Sequence, residues 1–367
     1  MENEEKKTEE VENSMQVHCD ACGGVMRYSP ARQNLKCIYC GFEKELDKTP
    51  IKVEAFSYDE HKGQAAADKA AETKGTFEIK EIRCQQCGAV TTLPENVSSM
   101  KCPFCGTSLV LGDHHVKRTW KPGAMLPFKV EEKKGKIAYK NWLSGKWFAP
   151  SKLTKNVADP AAFKGVYMPY WAYDAHTHTS YMGARGTDYT RTVRRNGKDE
   201  RVTETEWRNV SGAVSENFEN LLVAATNTLP GSISNVLTNW DLENSVAYRE
   251  EFVSGFITEL YKKDFEECMP KAQEKMRRII EDSIRQDIGG DHQRINSQQT
   301  DYEDVMFKLF LLPLWISSFT YNGKAYQFVV NGRTGQVTGD YPISALKVTL
   351  AVAAAILVFV LIYYWMQ

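Results

Sequence analysis

Alternating hydrophobic and polar residues run through long stretches of the chain, and this period of two is typical of β-strands with one buried face. Three Asn-Gly pairs, Asn196-Gly197, Asn322-Gly323 and Asn331-Gly332, follow such stretches and predict turns, because both residues tolerate the positive φ of a tight turn. The predicted strands of the main domain are residues 166–183, 188–194, 200–210, 310–321 and 326–330.

Three segments instead show apolar residues three or four positions apart, which predicts amphipathic helices. These are 131–145, 248–261 and a run that follows Pro270 and ends at Gly289-Gly290. The residues predicted to face inward are Ile137, Trp142 and Leu143 in the first helix, Phe252, Phe256 and Leu260 in the second, and Met276, Ile279, Ile280, Ile284 and Ile288 in the third. Because strands precede and follow the two later helices, residues 117–342 are predicted to form an α+β domain with an antiparallel sheet.

The pattern changes again at 348–365, where the chain carries no charge and Thr349 is the clearly polar residue. A helix of this length spans about 27 Å, which is enough to cross the hydrocarbon core of a bilayer. The aromatic residues at 363–365 would then lie at the membrane interface. A buried core helix is the alternative, and it is disfavoured because no polar face is distinguishable. We therefore predict a transmembrane helix at 345–365.

The position of this helix predicts a tail-anchored, single-pass protein of the cell membrane, since Met366 and Gln367 alone follow it. Lys347 at its near side predicts that the bulk of the chain lies in the cytoplasm. Residues 1–14 are charged and acidic without an apolar stretch, which predicts a disordered tail rather than a secretory signal peptide. The net charge of −1 gives the chain as a whole no bias toward nucleic acid or acidic lipid.

Eight of the nine cysteines form two CxxC…CxxC quartets of identical spacing. Fourteen residues separate the two pairs of each quartet, and every member of the second lies 65 positions after its counterpart in the first. Glycine follows every pair, as expected where a tight metal-binding turn needs an open backbone conformation. The quartets are Cys19, Cys22, Cys37 and Cys40, then Cys84, Cys87, Cys102 and Cys105. This duplicated set predicts two zinc ions, each held by four thiolates.

The eight thiols could instead form four disulfides, as in small secreted domains. The acidic N-terminus and the short CxxC turns, which direct two thiolates at one ion, favour zinc over disulfides. We therefore predict zinc ribbons at 15–47 and 81–113, joined by a helical spacer at 48–80 whose alanine-rich centre favours helix. Four thiolates leave no open coordination position, which predicts structural rather than catalytic sites.

Residues outside the quartets offer weaker candidate sites. The sequence contains no GxSxG, HExxH or dinucleotide-binding GxGxxG motif, and none of its Gly-Lys pairs belongs to a P-loop.

His176 and His178 lie two apart on a predicted strand with Asp174 on the same face. They could chelate a metal, but a polar sheet face is the more ordinary interpretation. Cys268 is interpreted as a structural thiol rather than a nucleophile. We predict no enzymatic activity, with an enzyme of unrecognised type as the alternative.

The chain resembles bacterial membrane-anchored proteins with zinc ribbons of the transcription-factor-IIB type, a family often labelled primosomal protein N-prime or superfamily II helicase. The resemblance covers most of the chain and rests on the quartets, the terminal helix and four phrases. The phrases are KWFAPSKL (146–153), GVYMPYWAYDA (165–175), IGGDHQRI (288–295) and LLPLWISSFTYNGKAYQFVVNGRTGQVTGDYP (311–342). It brings no established activity, and helicase activity is rejected because the chain lacks a P-loop and the length for two motor domains.

The charge of the ribbons bears on the partner that they would bind. Residues 15–47 carry four basic and four acidic side chains (4 − 4 = 0), and residues 76–121 carry six basic and four acidic (6 − 4 = +2). Phosphate recognition normally needs a basic face, so a protein partner is favoured over nucleic acid. We predict a zinc-binding, membrane-anchored cytosolic adaptor or scaffold whose ribbons dock a protein partner. The alternative is a membrane-tethered nucleic-acid-binding protein.

Overall fold

A computed structural model of the chain describes most of the two ribbons, the main domain and the terminal helix. The predicted acidic tail at 1–14, the alanine-rich centre of the spacer at 65–72 and the Asn196-Gly197 turn lie outside the described residues. The described residues are 17–46, 53–63, 76–92, 99–105, 107–110, 115–155, 163–195, 198–230, 233, 237, 240–322 and 324–366.

The first ribbon is a small sheet of four antiparallel strands that pair in sequential order. Alternation along two of its strands buries Met26, Tyr28 and Leu35 on the side that faces the main domain. The strands are β1 (Val17–His18), β2 (Val25–Ser29), β3 (Asn34–Cys37) and β4 (Glu43–Lys44).

The second ribbon is built from short strands in two antiparallel groups, a three-stranded sheet and a two-stranded pair. A short strand and one helical turn precede it, and that strand pairs with the main sheet. In chain order these elements are β5 (Phe56–Ser57), α1 (Tyr58–His61), β6 (Thr76–Arg83), β7 (Val90–Thr92), β8 (Ser99–Lys101), β9 (Ser108–Val110) and β10 (His115–Trp120).

Three very long antiparallel strands form the centre of the main domain. Strand β12 (Lys164–Arg195) lies between β13 (Lys198–Ala224) and β16 (His292–Tyr321). Besides β5, the remaining strands of this sheet are β11 (Ala124–Met125), β14 (Val246–Ala247), β15 (Ile257–Thr258), β17 (Lys324–Asn331) and β18 (Val337–Gly339). The predicted α+β class with an antiparallel sheet is confirmed, although β11 and β15 add two parallel pairs. The strands predicted separately at 166–183 and 188–194 are parts of one continuous strand.

The helices cover the sheet and extend beyond it. They are α2 (Glu132–Ser144), α3 (Ser151–Lys155), α4 (Glu250–Val253), α5 (Phe265–Ile288) and α6 (Ala345–Trp365), with one 3₁₀ turn at Leu242–Asn244. Helix α5 begins with a capping box. The Asp264 side chain accepts a hydrogen bond from the backbone amide of Glu267, and the Glu267 side chain accepts one from the backbone amide of Asp264.

Three predictions about the helices are wrong. The helix predicted at 248–261 ends after one turn, since Gly255 has φ +88° and the chain continues into β15. The side chains of Ile137 and Ile279 were predicted to face inward, yet they are 57% and 46% exposed. Both stand beside the buried stripe of their helix, where counting positions cannot resolve the edge of the stripe.

The two ribbons belong to the cores on opposite faces of the sheet. Val166 and Met168 of β12 share one apolar cluster with Ile82 and Phe104 of the second ribbon. The residue between them, Tyr167, belongs to the other face, where its cluster contains the buried side chains of the first ribbon. Helix α5 extends this second face with its own cluster, which contains Trp171, Tyr173, Phe265, Met276, Ile280, Ile284 and Phe307.

A pair of bulges at Asp174 divides the sheet into two parts. The pairing register shifts there on both sides of β12, and the flanking strands place Asn220 and Asp304 at φ +51° and +50°. Asp174 accepts from the Asn220 amide at 2.6 Å and forms an ion pair of 2.8 Å with Lys308. Beyond this point, α5 covers one face of the sheet and the other face carries exposed polar residues.

Candidate metal centres

Each cysteine pair is held by a backbone turn, called here a knuckle, that the CxxCG sequence favours. In the first knuckle, the Cys19 amide donates to Gly24 O at 2.7 Å and the Gly23 amide donates to Cys19 O at 2.8 Å. The turn closes because Gly23 adopts φ +69°, a conformation that side chains with a Cβ disfavour. In the second knuckle, the Cys37 amide donates to Phe42 O at 2.8 Å.

The four sulfurs of the first quartet converge on one point. Cys19 Sγ lies 3.6 Å from Cys40 Sγ, and Cys22 Sγ lies 3.5 Å from Cys37 Sγ. A disulfide bond would require about 2.05 Å, so these sulfurs are not bonded to each other. Tetrahedral coordination at about 2.3 Å per zinc–sulfur bond places sulfurs about 3.8 Å apart, and the quartet fits this requirement closely.

The second quartet repeats this arrangement. Cys84 Sγ lies 3.6 Å from Cys105 Sγ, and Cys87 Sγ lies 3.6 Å from Cys102 Sγ. The Cys84 amide donates to Ala89 O at 2.8 Å, which is the bond of the first knuckle displaced by 65 positions. The structure therefore brings the eight cysteines singled out by spacing into two groups of four, with the ligand atoms of each group within 4.8 Å of one another.

The pKa shifts of the first quartet favour a thiolate at one cysteine and a thiol at another. The pKa of Cys37 is lowered to about 6, chiefly because the backbone amide of Cys40 donates to its sulfur, whereas the pKa of Cys40 is raised to about 12. A thiolate is the form of cysteine that binds a metal ion. Because each group supplies four cysteine donors, a bound ion would have no open coordination position. Catalytic zinc ions keep such a position for water.

The two quartets differ in what covers their second knuckle. In the first ribbon, Ile38, Tyr39 and Phe42 are 48%, 73% and 40% exposed. The Tyr39 ring lies against Gly24, where a Cβ atom would stand 2.5 Å from the ring. In the second ribbon, the counterpart of Tyr39 is Phe104, which is 4% exposed and belongs to the main core. The apolar tip formed by Ile38, Tyr39 and Phe42, called here the first-ribbon tip, is therefore open to solvent.

The predicted histidine pair does lie on one face of a strand. His176 and His178 both point to the polar face of the sheet, where His176 Nδ1 lies 2.6 Å from Asn217 Oδ1 and His178 Nδ1 lies 3.0 Å from Ser215 Oγ. Asp174 is engaged by Lys308. Among the described residues, the two cysteine quartets alone bring three or more ligand atoms together in this way.

Cys268 and Glu259 are buried titratable residues outside the quartets. Cys268 is fully buried in α5, and burial raises the pKa of its thiol to about 12, which agrees with a structural thiol. Glu259 was not singled out from the sequence, yet it is 0% exposed and burial raises its pKa to about 7. Its Oε1 accepts from the hydroxyls of Thr226 and Thr228. Sequence patterns give no signal for such a residue, because Glu259 is covered by pairing with Thr91 of β7, which is distant in the sequence.

Comparison with known proteins finds a relative whose name states no activity. The chain is 24% identical over 338 residues to the protein called "Uncharacterized protein YdjG" of Bacillus subtilis (strain 168), which covers 90% of this chain and 91% of that protein. No protein-family model matches the chain. No solved structure matches it either. The geometry of the quartets and of the surfaces around them therefore carries the functional argument.

Proposed function

We propose that the protein is a membrane-anchored adaptor whose two ribbons each hold a structural zinc ion and whose first-ribbon tip docks a protein partner. The sites would be zinc ribbons of the transcription-factor-IIB type, as the resemblance of the chain to bacterial membrane-anchored proteins implies. Four thiolates at tetrahedral spacing suit zinc, and a closed site of this kind supplies folding energy rather than catalysis. The adaptor has no catalytic role in this proposal.

Membrane anchoring is supported by the environment of α6. The helix is 21 residues long, and none of its most apolar eighteen-residue window is buried. A soluble core helix of such composition would bury its side chains to remove them from water. An exposed apolar helix of about 30 Å instead matches the hydrocarbon thickness of a bilayer. The anchored protein would then lie at the cytoplasmic face, where thiolate ligands stay reduced.

The docking proposal is supported by a difference in exposure between the second knuckles of the two ribbons. Both ribbons have the same spacing and backbone turns, but Tyr39 is 73% exposed while its counterpart Phe104 is 4% exposed. The second ribbon uses its knuckle to pack on the main domain, whereas the first leaves three large apolar side chains in water. Exposed aromatic residues on a rigid turn are typical anchors of protein interfaces.

Site-specific photocrosslinking tests the proposal. Full-length protein with p-benzoylphenylalanine at position 39 should form a discrete crosslink to one protein in native membranes. The part of the β12–β13 hairpin that lies beyond the Asp174 bulge is called here the distal hairpin. A matched probe at Tyr189, which is 46% exposed on this hairpin, should give only background. Equal, heterogeneous labelling from both positions would contradict docking at the first-ribbon tip. Crosslinks from position 39 to DNA or RNA would instead support the nucleic-acid-binding alternative.

A further inference from the structure

A second exposed apolar surface lies beside the base of α6. The loop between α2 and α3 carries Trp147 and Phe148, which are 63% and 39% exposed. Their rings pack edge to face, with centroids 4.9 Å apart. At the start of α6, Ile343 and Leu346 are 65% and 71% exposed. Large apolar side chains left in water at neighbouring positions mark an interaction surface.

Hydrogen bonds fasten this loop to the first turn of α6. Lys347 Nζ donates to Trp147 O at 2.9 Å and to Ala149 O at 2.7 Å. The Ser344 amide donates to Phe148 O at 2.8 Å. Because Lys347 immediately precedes the uncharged stretch, the loop lies at the level where the apolar part of the helix begins.

The two helices that flank the loop are rich in lysine, although Glu132 at the start of α2 forms an ion pair with Lys136. Residues 133–155 contain seven lysines and no acidic residue. Lys146 Nζ lies 4.8 Å from the centroid of the Trp142 ring, which itself packs edge to face on Tyr341. Lys133, Lys134 and Lys152 are exposed. The loop is distant from α6 in sequence, so the fold and not a run of adjacent residues places it beside the helix.

We propose that residues 133–155 form a lipid-binding surface, in which Trp147 and Phe148 enter the membrane interface and the lysines attract anionic headgroups. This inference rests on the proposed membrane anchoring by α6. Tryptophan is favoured at the headgroup level because its ring is amphipathic. The attraction of each lysine to an anionic leaflet is worth about 1 kcal/mol, the equivalent of about fivefold in membrane affinity. The surface would hold the main domain against the bilayer instead of letting it swing on α6.

Lipid photocrosslinking of the full-length protein tests this surface. The protein is reconstituted in vesicles of equal phosphatidylcholine and phosphatidylglycerol, with p-benzoylphenylalanine at position 148, 359 or 189. Phe359 is 72% exposed in the centre of α6 and reports insertion, while Tyr189 reports background. Position 148 is expected to crosslink lipid, with phosphatidylglycerol enriched at least fivefold over phosphatidylcholine.

Removing charge separates lipid selectivity from simple proximity. The Lys133→Gln/Lys134→Gln/Lys152→Gln variant should lose that enrichment at position 148 and keep the crosslink at position 359. The matched Arg194→Gln/Arg201→Gln/Lys271→Gln variant removes the same charge from exposed positions on the distal hairpin and on α5, and it should retain the enrichment.

The outcomes distinguish this inference from the anchoring on which it rests. A lipid crosslink at position 359 without one at position 148 would overturn the lipid-binding surface and leave the anchor standing. Absence of lipid at both positions would overturn both. Equal labelling of the two lipids at position 148, unchanged by the lysine substitutions, would overturn the role of the lysines.

Discussion

The surroundings of a cysteine decide its chemistry in this chain. The eight quartet cysteines lie in turns that bring four sulfurs within 4.8 Å of one another. Cys268 is equally free of disulfide bonding but lies buried in α5, where its thiol donates to Ala224 O at 3.8 Å. Spacing predicted this division, because CxxC repeats at a fixed offset have no counterpart around position 268.

Substitution of one exposed ligand should remove one metal ion. Cys22→Ser is expected to lower zinc content from about two to about one per chain, because a hydroxyl does not replace a thiolate in a four-sulfur site. Cys22 is exposed, so the substitution creates no cavity. Elemental analysis of the purified full-length protein measures the change. The control is Cys268→Ala, which should retain about two ions; a loss of zinc in that variant would contradict the assignment.

Glu259 predicts a pH dependence of stability. Burial raises its pKa to about 7 in the folded protein, against an ordinary value of 4.5. Between these values the unfolded chain loses the proton while the folded chain keeps it, so the contribution of Glu259 to stability falls as pH rises toward 7. Glu259→Gln removes this penalty, and we expect it to stabilise the protein by up to about 3 kcal/mol at pH 8, with a smaller gain at pH 5.5.

Urea denaturation of the detergent-solubilised protein at the two pH values measures this difference. The exposed Glu303→Gln is the matched control, and it should change stability by less than about 0.5 kcal/mol at both. A gain for Glu259→Gln that is the same at pH 5.5 and pH 8 would show that its carboxyl does not titrate in this range.

Periodicity predicted the kind of most elements and missed their lengths and edges. The alternating pattern identified parts of β12, β13 and β16, but it missed residues 211–224 of β13 and 292–309 of β16. The missed part of β16 begins with a polar run that has no apolar face to count. The third predicted helix is α5, whereas the second is largely wrong because Gly255 and pairing of β15 with β12 override the helical spacing. Tertiary pairing of this kind leaves no local signal.

The edge of the buried stripe on α5 gives a direct test of this lesson. Both Ile279 and Ile284 were predicted to face inward, but Ile279 is 46% exposed and Ile284 is fully buried. Ile284→Ala should destabilise the protein by about 2–5 kcal/mol, because it removes packed methyl groups and leaves a cavity. Ile279→Ala should cost less than about 0.5 kcal/mol. Denaturation midpoints measure both, and equal losses would place the stripe where the sequence predicted it.

At the scale of the whole molecule, the ribbons are covering layers of the main domain. The second ribbon contributes Ile82, Phe104 and Leu109 to one face of the sheet, and the first contributes Met26 and its neighbours to the other. The quartets were predictable from spacing alone, but the packing of one ribbon on each face of the sheet was not. Short ribbon strands give no indication of which distant surface they will bury.

This arrangement predicts that metal loss opens the sheet and not only the ribbons. In Cys22→Ser or Cys87→Ser, amide hydrogen exchange should accelerate in residues 166–173 of β12, because each variant loosens one of the layers that exclude water there. The distal residues 187–195 lie beyond both ribbon clusters and should exchange at the wild-type rate in either variant. If residues 166–173 stayed as protected as in the wild type while one zinc ion was lost, the ribbons would be independent modules tethered to the sheet.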